Sequence, residues 1–202
     1  MKITLTAGQA ATLVKALKAA VSTDPVRVHL TGVKIASVSN GATLTATDGY
    51  RMHEISIAGA ADHHQIELLV NAGELFDSLA AAVRIIGKDN YPVTLDYDYG
   101  NEVLVQVNNA AAGAAGVMNL DFPSCGSLLD NTPDSENGAM FNAGFFADLM
   151  KAAESVAATG KGKNRAALVT VETMSTRKPC RVTASNDETG VSFRGLIMPC
   201  RK

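Results

Sequence analysis

Three stretches of the chain share one pattern of apolar and polar positions: ITLTAGQAATLVKALKAAV from Ile3, LLVNAGELFDSLAAAV from Leu68 and AMFNAGFFADLMKAAESV from Ala139. Each opens as a short strand, passes Thr or Asn and then Ala-Gly, and continues with apolar residues at helical spacing. These are Leu13, Val14 and Leu17 in the first copy, Leu75, Phe76 and Leu79 in the second, and Phe145, Phe146 and Leu149 in the third. Thr6, Asn71 and Asn142 stand where a helix N-cap belongs, their side-chain oxygens placed to accept from the first exposed amides. Gln9 and Glu74 predict a capping box in the first two copies, and Phe145 removes it from the third. The alanine of Ala-Gly falls at 7, 72 and 143, spacings of 65 and 71 residues.

The segments after the helices repeat as well. VRVHL, GVKIASV, ATLTA and YRMHEISI come after the first; YPVTLDY, EVLVQV and AAGVMNL after the second; AALVTVET, PCRVTAS and VSFRGLIM after the third. These β-branched, alternating runs read as strands, with turn residues at Ser39-Asn40-Gly41, Asp48-Gly49, Tyr99-Gly100-Asn101 and Asn186-Asp187. The expected fold is α+β, built from three βαβββ units. The polar, turn-forming run 130–138 predicts a boundary: a full two-unit domain over 1–129 (units about 1–60 and 61–129), a linker over 130–138, and a half domain over 139–202.

Composition narrows the function. The 202 residues are 47% hydrophobic, enough for a substantial core, and 18 basic against 20 acidic side chains give a net charge of −2. A globally basic nucleic-acid binder is excluded, while a locally basic face is not. Cys125, Cys180 and Cys200 are odd in number and form no CxxC pair, which fits a reducing cytoplasm. MKITLTAGQ lacks the apolar core of a signal peptide, and no apolar run approaches a membrane span. There is no GxSxG and no HExxH, and Gly160-Lys161-Gly162-Lys163 lacks Walker A spacing. His63-His64 is an adjacent pair that spaces poorly for one metal. The sequence thus predicts no catalysis, no cofactor and no metal.

MKITLT, ATLTATDGYRM, the DFPS of 121–124, FNAGFFADLM and the terminal LIMPCRK together resemble the bacterial DNA polymerase III sliding clamp (β-subunit) family. The similarity is spread over nearly the whole chain, and the order and spacing of the motifs make it specific. The matching start and ending lead us to expect a whole chain, a shortened clamp of the kind a phage or mobile element encodes.

The resemblance implies a ring threaded by duplex DNA, with helices lining the hole and sheets outside. Such helices contact phosphates without reading bases. Candidates near each helix are Lys15 and Lys18, Arg84 and Lys88, and Lys151, followed by Lys161, Lys163 and Arg165 in a loop. Lysines near a helix C-terminus also simply complement the dipole and stay solvated, and both readings stand at this point. Asp77 and Asp148 count against a uniformly basic face.

The resemblance further implies a surface pocket for a short hydrophobic motif on DNA polymerase and clamp loader. It carries over to Thr47, Gly49, Tyr50, Arg51 and Met52, to Asn142 and Phe145 at the third helix start, and to Met198, Pro199, Cys200 and Arg201. Met suits such a site because it repacks around different partners. Cys200 departs from the larger apolar residue usual there, and Tyr50 from a frequent His. Asp48-Gly49 is a tight hairpin turn in either case.

A family ring contains twelve units. Three units per chain therefore predict four chains, with neighbours flipped and the symmetry dihedral. The competing expectations are a non-ring mimic that captures polymerase or loader, and an ordinary protein that grips phosphates directly.

Overall fold

A computed structural model describes residues 1–38, 41–59, 66–87, 89–98, 100–124, 139–159, 167–172 and 178–200. Strand β1 (Lys2–Leu5) ends at Thr6, which caps helix α1 (Ala7–Lys18). The Thr6 hydroxyl oxygen accepts from the Gln9 amide at 3.1 Å and Gln9 Oε1 accepts from the Thr6 amide at 2.8 Å, closing the capping box. Antiparallel strands β2 (Gly32–Val38), β3 (Gly41–Thr47) and β4 (Arg51–Ala58) come next. The order then recurs as β5 (Glu67–Asn71), α2 (Ala72–Ile86), β6 (Val93–Asp96), β7 (Glu102–Val107) and β8 (Ala110–Gly116). The third copy contributes α3 (Ala143–Ala157), β9 (Thr170–Glu172), β10 (Cys180–Asn186) and β11 (Val191–Ile197).

The first two units exchange their opening strands. β1 pairs with β6 of the second unit, giving a sheet ordered β1-β6-β7-β8, and β5 pairs with β2 of the first. Side chains on the exchanged strands drive this: Ile3, Leu5 and Val70 are buried to 1% exposure or less, each contributing roughly 1.5–3 kcal/mol by leaving water. The third unit joins through β11, which pairs with β4 from Ile197↔Arg51 to Val191↔Ile57. The result is one sheet of seven strands, β5-β2-β3-β4-β11-β10-β9. At this seam Glu54 of β4 faces Arg194 of β11, and the two ion-pair at 2.7 Å. The three helices pack over the strands with α1 between α2 and α3, and one core cluster runs through all three units.

Several sequence expectations need correction. VRVHL is not a strand: Val28–Leu30 forms a single 3₁₀ turn, and Val26 is 87% exposed, so alternation there answers to no sheet. The third opening stretch, AMFN, lies in no sheet, unlike its counterparts β1 and β5. Among the described residues of AALVTVET only Thr170–Glu172 pairs. β8 begins four residues before AAGVMNL, in an alanine and glycine run with weak strand propensity. Small residues are required because α2 lies close: a Cβ on Gly113 would come within 2.3 Å of Ser78 Oγ. Glu74 completes no capping box. Asn71 caps α2, but the Glu74 carboxylate reaches past the cap to accept from the Gly116 amide at 2.8 Å. The stretch 130–138, read as a linker, lies outside the described residues.

Candidate functional site

The β3–β4 hairpin is held at its tip by three residues. Gly49 adopts φ 87°, a left-handed conformation that side chains resist. Asp48 Oδ1 accepts from the Tyr50 amide at 2.9 Å and the Arg51 amide at 3.0 Å, and the Thr47 hydroxyl donates to the Arg51 carbonyl at 2.7 Å. The turn therefore projects Tyr50 outward at 55% exposure while turning Met52 inward at 4%.

The seam completes the site. Met52 stands opposite Leu196 of β11, and these two form a small apolar cluster separate from the main core. Past the end of β11, the Met198 amide donates to the Tyr50 carbonyl at 3.3 Å, which brings Met198 to the same rim. The outcome is a cleft of about 200 Å³ lined by Thr47, Gly49, Tyr50, Arg51, Met52 and Met198 from the expected set, with His29, Leu30, Pro123 and Leu196 added. Its floor is apolar and its polar groups sit at the edge, the arrangement that takes an apolar peptide side chain. A larger groove of about 910 Å³ beside Lys34 and Phe122 is more polar and offers no such floor.

The first turn of α3 stands beside the hairpin, but neither Asn142 nor Phe145 of the expected set lines the cleft. Asn142 accepts from the Phe145 amide at 3.1 Å, so it caps the helix without entering the cleft. The Phe145 ring lies 5.9 Å from Tyr50, and the Arg51 guanidinium lies over it at 4.7 Å. Arg51 also binds Asp48 at 3.1 Å and Asp148 of α3 at 2.5 Å. Pro199 and Cys200 do not line the cleft; the Cys200 amide donates to the Met140 carbonyl at 2.7 Å. Arg201 lies outside the described residues.

Sequence reasoning missed four residues of the lining. Leu196 and Pro123 stand inside quoted motifs, LIM and DFPS; the β4–β11 pairing brings Leu196 opposite Met52, and Pro123 reaches the cleft from the irregular stretch after β8. His29 and Leu30 were hidden by the strand reading of VRVHL. Arg27 was also missed: it donates to the Asp48 carbonyl at 3.1 Å and lies 5.7 Å from the Tyr50 ring, bracing the hairpin from outside.

Of the basic candidates, Lys15 and Lys18 on α1, Arg84 on α2 and Lys151 on α3 are all exposed on the helix layer, as is Asp77. Asp148 is occupied by Arg51. Lys88, Lys161, Lys163 and Arg165 lie outside the described residues. Among the described residues no cluster of His, Cys, Asp or Glu could hold a metal ion, and no helix is long and apolar enough to cross a membrane.

The family model for the central domain of the DNA polymerase III beta subunit matches residues 4–123. Among solved structures, the whole chain superposes on the DNA polymerase III beta subunit of Thermotoga maritima with a TM-score of 0.71 at 14% identity. It superposes on the DNA polymerase sliding clamp of Pseudomonas aeruginosa with a TM-score of 0.73 at 12% identity. The match to the DNA polymerase III beta subunit of Borrelia burgdorferi has a TM-score of 0.73 at 11% identity. The alignment covers 66% of the first two chains and 63% of the third. At such identities the likeness establishes the fold, which is that of sliding clamps. No curated protein sequence matches significantly.

Proposed function

The chain belongs to the DNA polymerase III beta-subunit family, and on that premise we propose that it is a non-catalytic sliding clamp of the cytoplasm, encircling duplex DNA and tethering a polymerase through the cleft at the β4–β11 seam. The observation that carries the reading is that cleft: an apolar floor of Met52 and Leu196, joined across two units, under a rim of Tyr50 and Met198. It suits a short hydrophobic segment, and polymerase and clamp loader are the partners in this reading. The exposed Lys15, Lys18, Arg84 and Lys151 support a phosphate-contacting helix layer that tracks DNA without reading sequence.

The assembly is set by the units. In this reading successive units alternate direction about local two-folds, as the family resemblance implies, so three units run up, down, up, and a neighbouring chain must enter flipped. Four chains then make a twelve-unit ring with dihedral symmetry.

The test is retention on circular against linear duplex DNA. A ring stays on circles and leaves linear molecules by their ends. Equal loss from both overturns encirclement and favours a mimic that sequesters polymerase or loader. A steep salt dependence with no topological difference favours direct phosphate binding.

A further inference from the structure

The repeat makes a demand that one chain does not meet. In the first two units the residues before the helix cross into the sheet of a partner unit: β1 lies on β6, and β5 lies on β2. β9 occupies the corresponding place in the third unit, as the first strand after the helix. Among the described residues β9 pairs on one side only, with β10. The matching donor is Ala139–Asn142, aligned by its Asn-Ala-Gly ending with Leu68–Asn71.

A second bond shows that this donor already sits in the working position. In the second unit the Met118 amide, just past β8, donates to the Leu69 carbonyl at 2.7 Å. In the third unit the Cys200 amide, just past β11, donates to the Met140 carbonyl at 2.7 Å. Leu69 and Met140 are equivalent positions of the repeat. The second and third opening stretches are thus each held along one edge by the tail of their own unit. β5 has β2 on its other edge, whereas 139–142 has no strand there among the described residues.

Apolar surface marks the gap from both sides. Met140 is 48% exposed, and Phe141, at the position of the fully buried Val70, stacks on its own helix at 5.8 Å from Phe146. Beside β9, Leu168 is 86% exposed and Val171 37%, large apolar side chains at an open sheet edge.

We propose that the third units of two copies exchange these strands, Ala139–Asn142 of each lying antiparallel along β9 of the other. The occupant is a second copy because this chain carries donor and acceptor together, so one two-fold axis satisfies both edges at once. Each seven-stranded sheet gains an eighth strand, opposite β5 about the β4–β11 seam, and two half domains become one whole. The exchange supplies one of the two contacts of the ring proposed above and, in its ring context, rests on that reading; its geometry rests on the repeat.

Light scattering over a concentration series, combined with residue-resolved amide exchange on the full chain, tests this. The expected result is an even-numbered particle whose amides at 139–141 and 170–172 slow together as it assembles. Leu168→Glu, at a side chain exposed in the single chain, is expected to weaken assembly about tenfold, with the circular dichroism spectrum unchanged. A monomer at every concentration overturns the exchange, and so does association that protects 110–116 alone. Retention on circular DNA without protection at 139–141 and 170–172 overturns the exchange and leaves the ring reading intact. Protection without retention does the reverse.

Discussion

Arg51 of β4 and Asp148 of α3 meet at 2.5 Å, tying the hairpin of the first unit to the helix of the third across the seam. Arg51 is 12% exposed and Asp148 38%, so the two ends of the pair differ in their dependence on it. Arg51 also holds Asp48 and lies over Phe145; Asp148 borders water.

Arg51→Ala is therefore expected to lower stability by about 2 kcal/mol, the size of a lost charged hydrogen bond with a stranded partner. Asp148→Asn should cost less than about 1 kcal/mol, as for a solvent-screened pair. Urea midpoints of the two variants decide it. Equal losses would mean that the bond to Asp148, and not the hold on Asp48 and Phe145, carries the contact.

The two methionines of the cleft separate binding from folding. Met198 is 47% exposed, so Met198→Ala should weaken a labelled hydrophobic peptide about tenfold and leave the unfolding midpoint unchanged. Met52 is 4% exposed, so Met52→Ala should reduce binding and also cost about 2 kcal/mol, the lower end for a buried methionine because its cluster contains only Leu196. Fluorescence anisotropy with urea titration reads both. A Met198→Ala variant that binds as before would move the peptide away from this rim.

Lys15, Arg84 and Lys151 lie on three different helices of one layer, each exposed. Reversing all three to Glu should shorten retention on circular DNA and flatten its salt dependence, while the loss of the helix-dipole complement at Lys15 and Arg84, in the last turns of α1 and α2, lowers stability by only about 1–2 kcal/mol and leaves the chain folded. Unchanged retention would remove these side chains from the DNA path.

The helices and most strands were legible because their signals are local. Thr6, Asn71 and Asn142 cap the helices as their positions before Ala-Gly predict. Thr47 to Met52 could be assigned to one hairpin because an Asp-Gly turn fixes which residues leave it. What failed was decided by distant partners. β8 is a strand because β7 and α2 flank it, and its alanines and glycines satisfy the helix contact, not strand propensity. AMFN has strand spelling and no sheet, since pairing requires a neighbour that spelling does not supply. Leu196 enters the cleft through a seam between residues more than a hundred positions apart, which no window of sequence displays.

His53 gives the fold a pH dependence. Its ring is fully buried beneath α1, with Nδ1 donating to the Ala16 carbonyl at 2.6 Å and the edge of the ring pair with Phe193 at 5.2 Å. With the proton on Nδ1, Nε2 faces apolar surroundings without a partner among the described residues. Burial pushes the pKa of His53 down from 6.5 to about 4, with the Ala16 carbonyl opposing and nearby Arg51 adding slightly. A lowered folded-state value means that the unfolded chain binds the extra proton first. Stability is therefore constant in this group above about pH 6.5, falls as pH drops from 6.5 to about 4, and levels off below. The total is on the order of 3 kcal/mol. In His53→Gln that share of the acid loss should vanish, because an amide does not titrate, whatever the variant's stability at neutral pH. Urea midpoints of the two proteins from pH 7 to pH 4 read the difference: parallel curves would show that the imidazole is protonated inside the fold, and a wild-type curve that steepens below pH 6.5 would show that it is not.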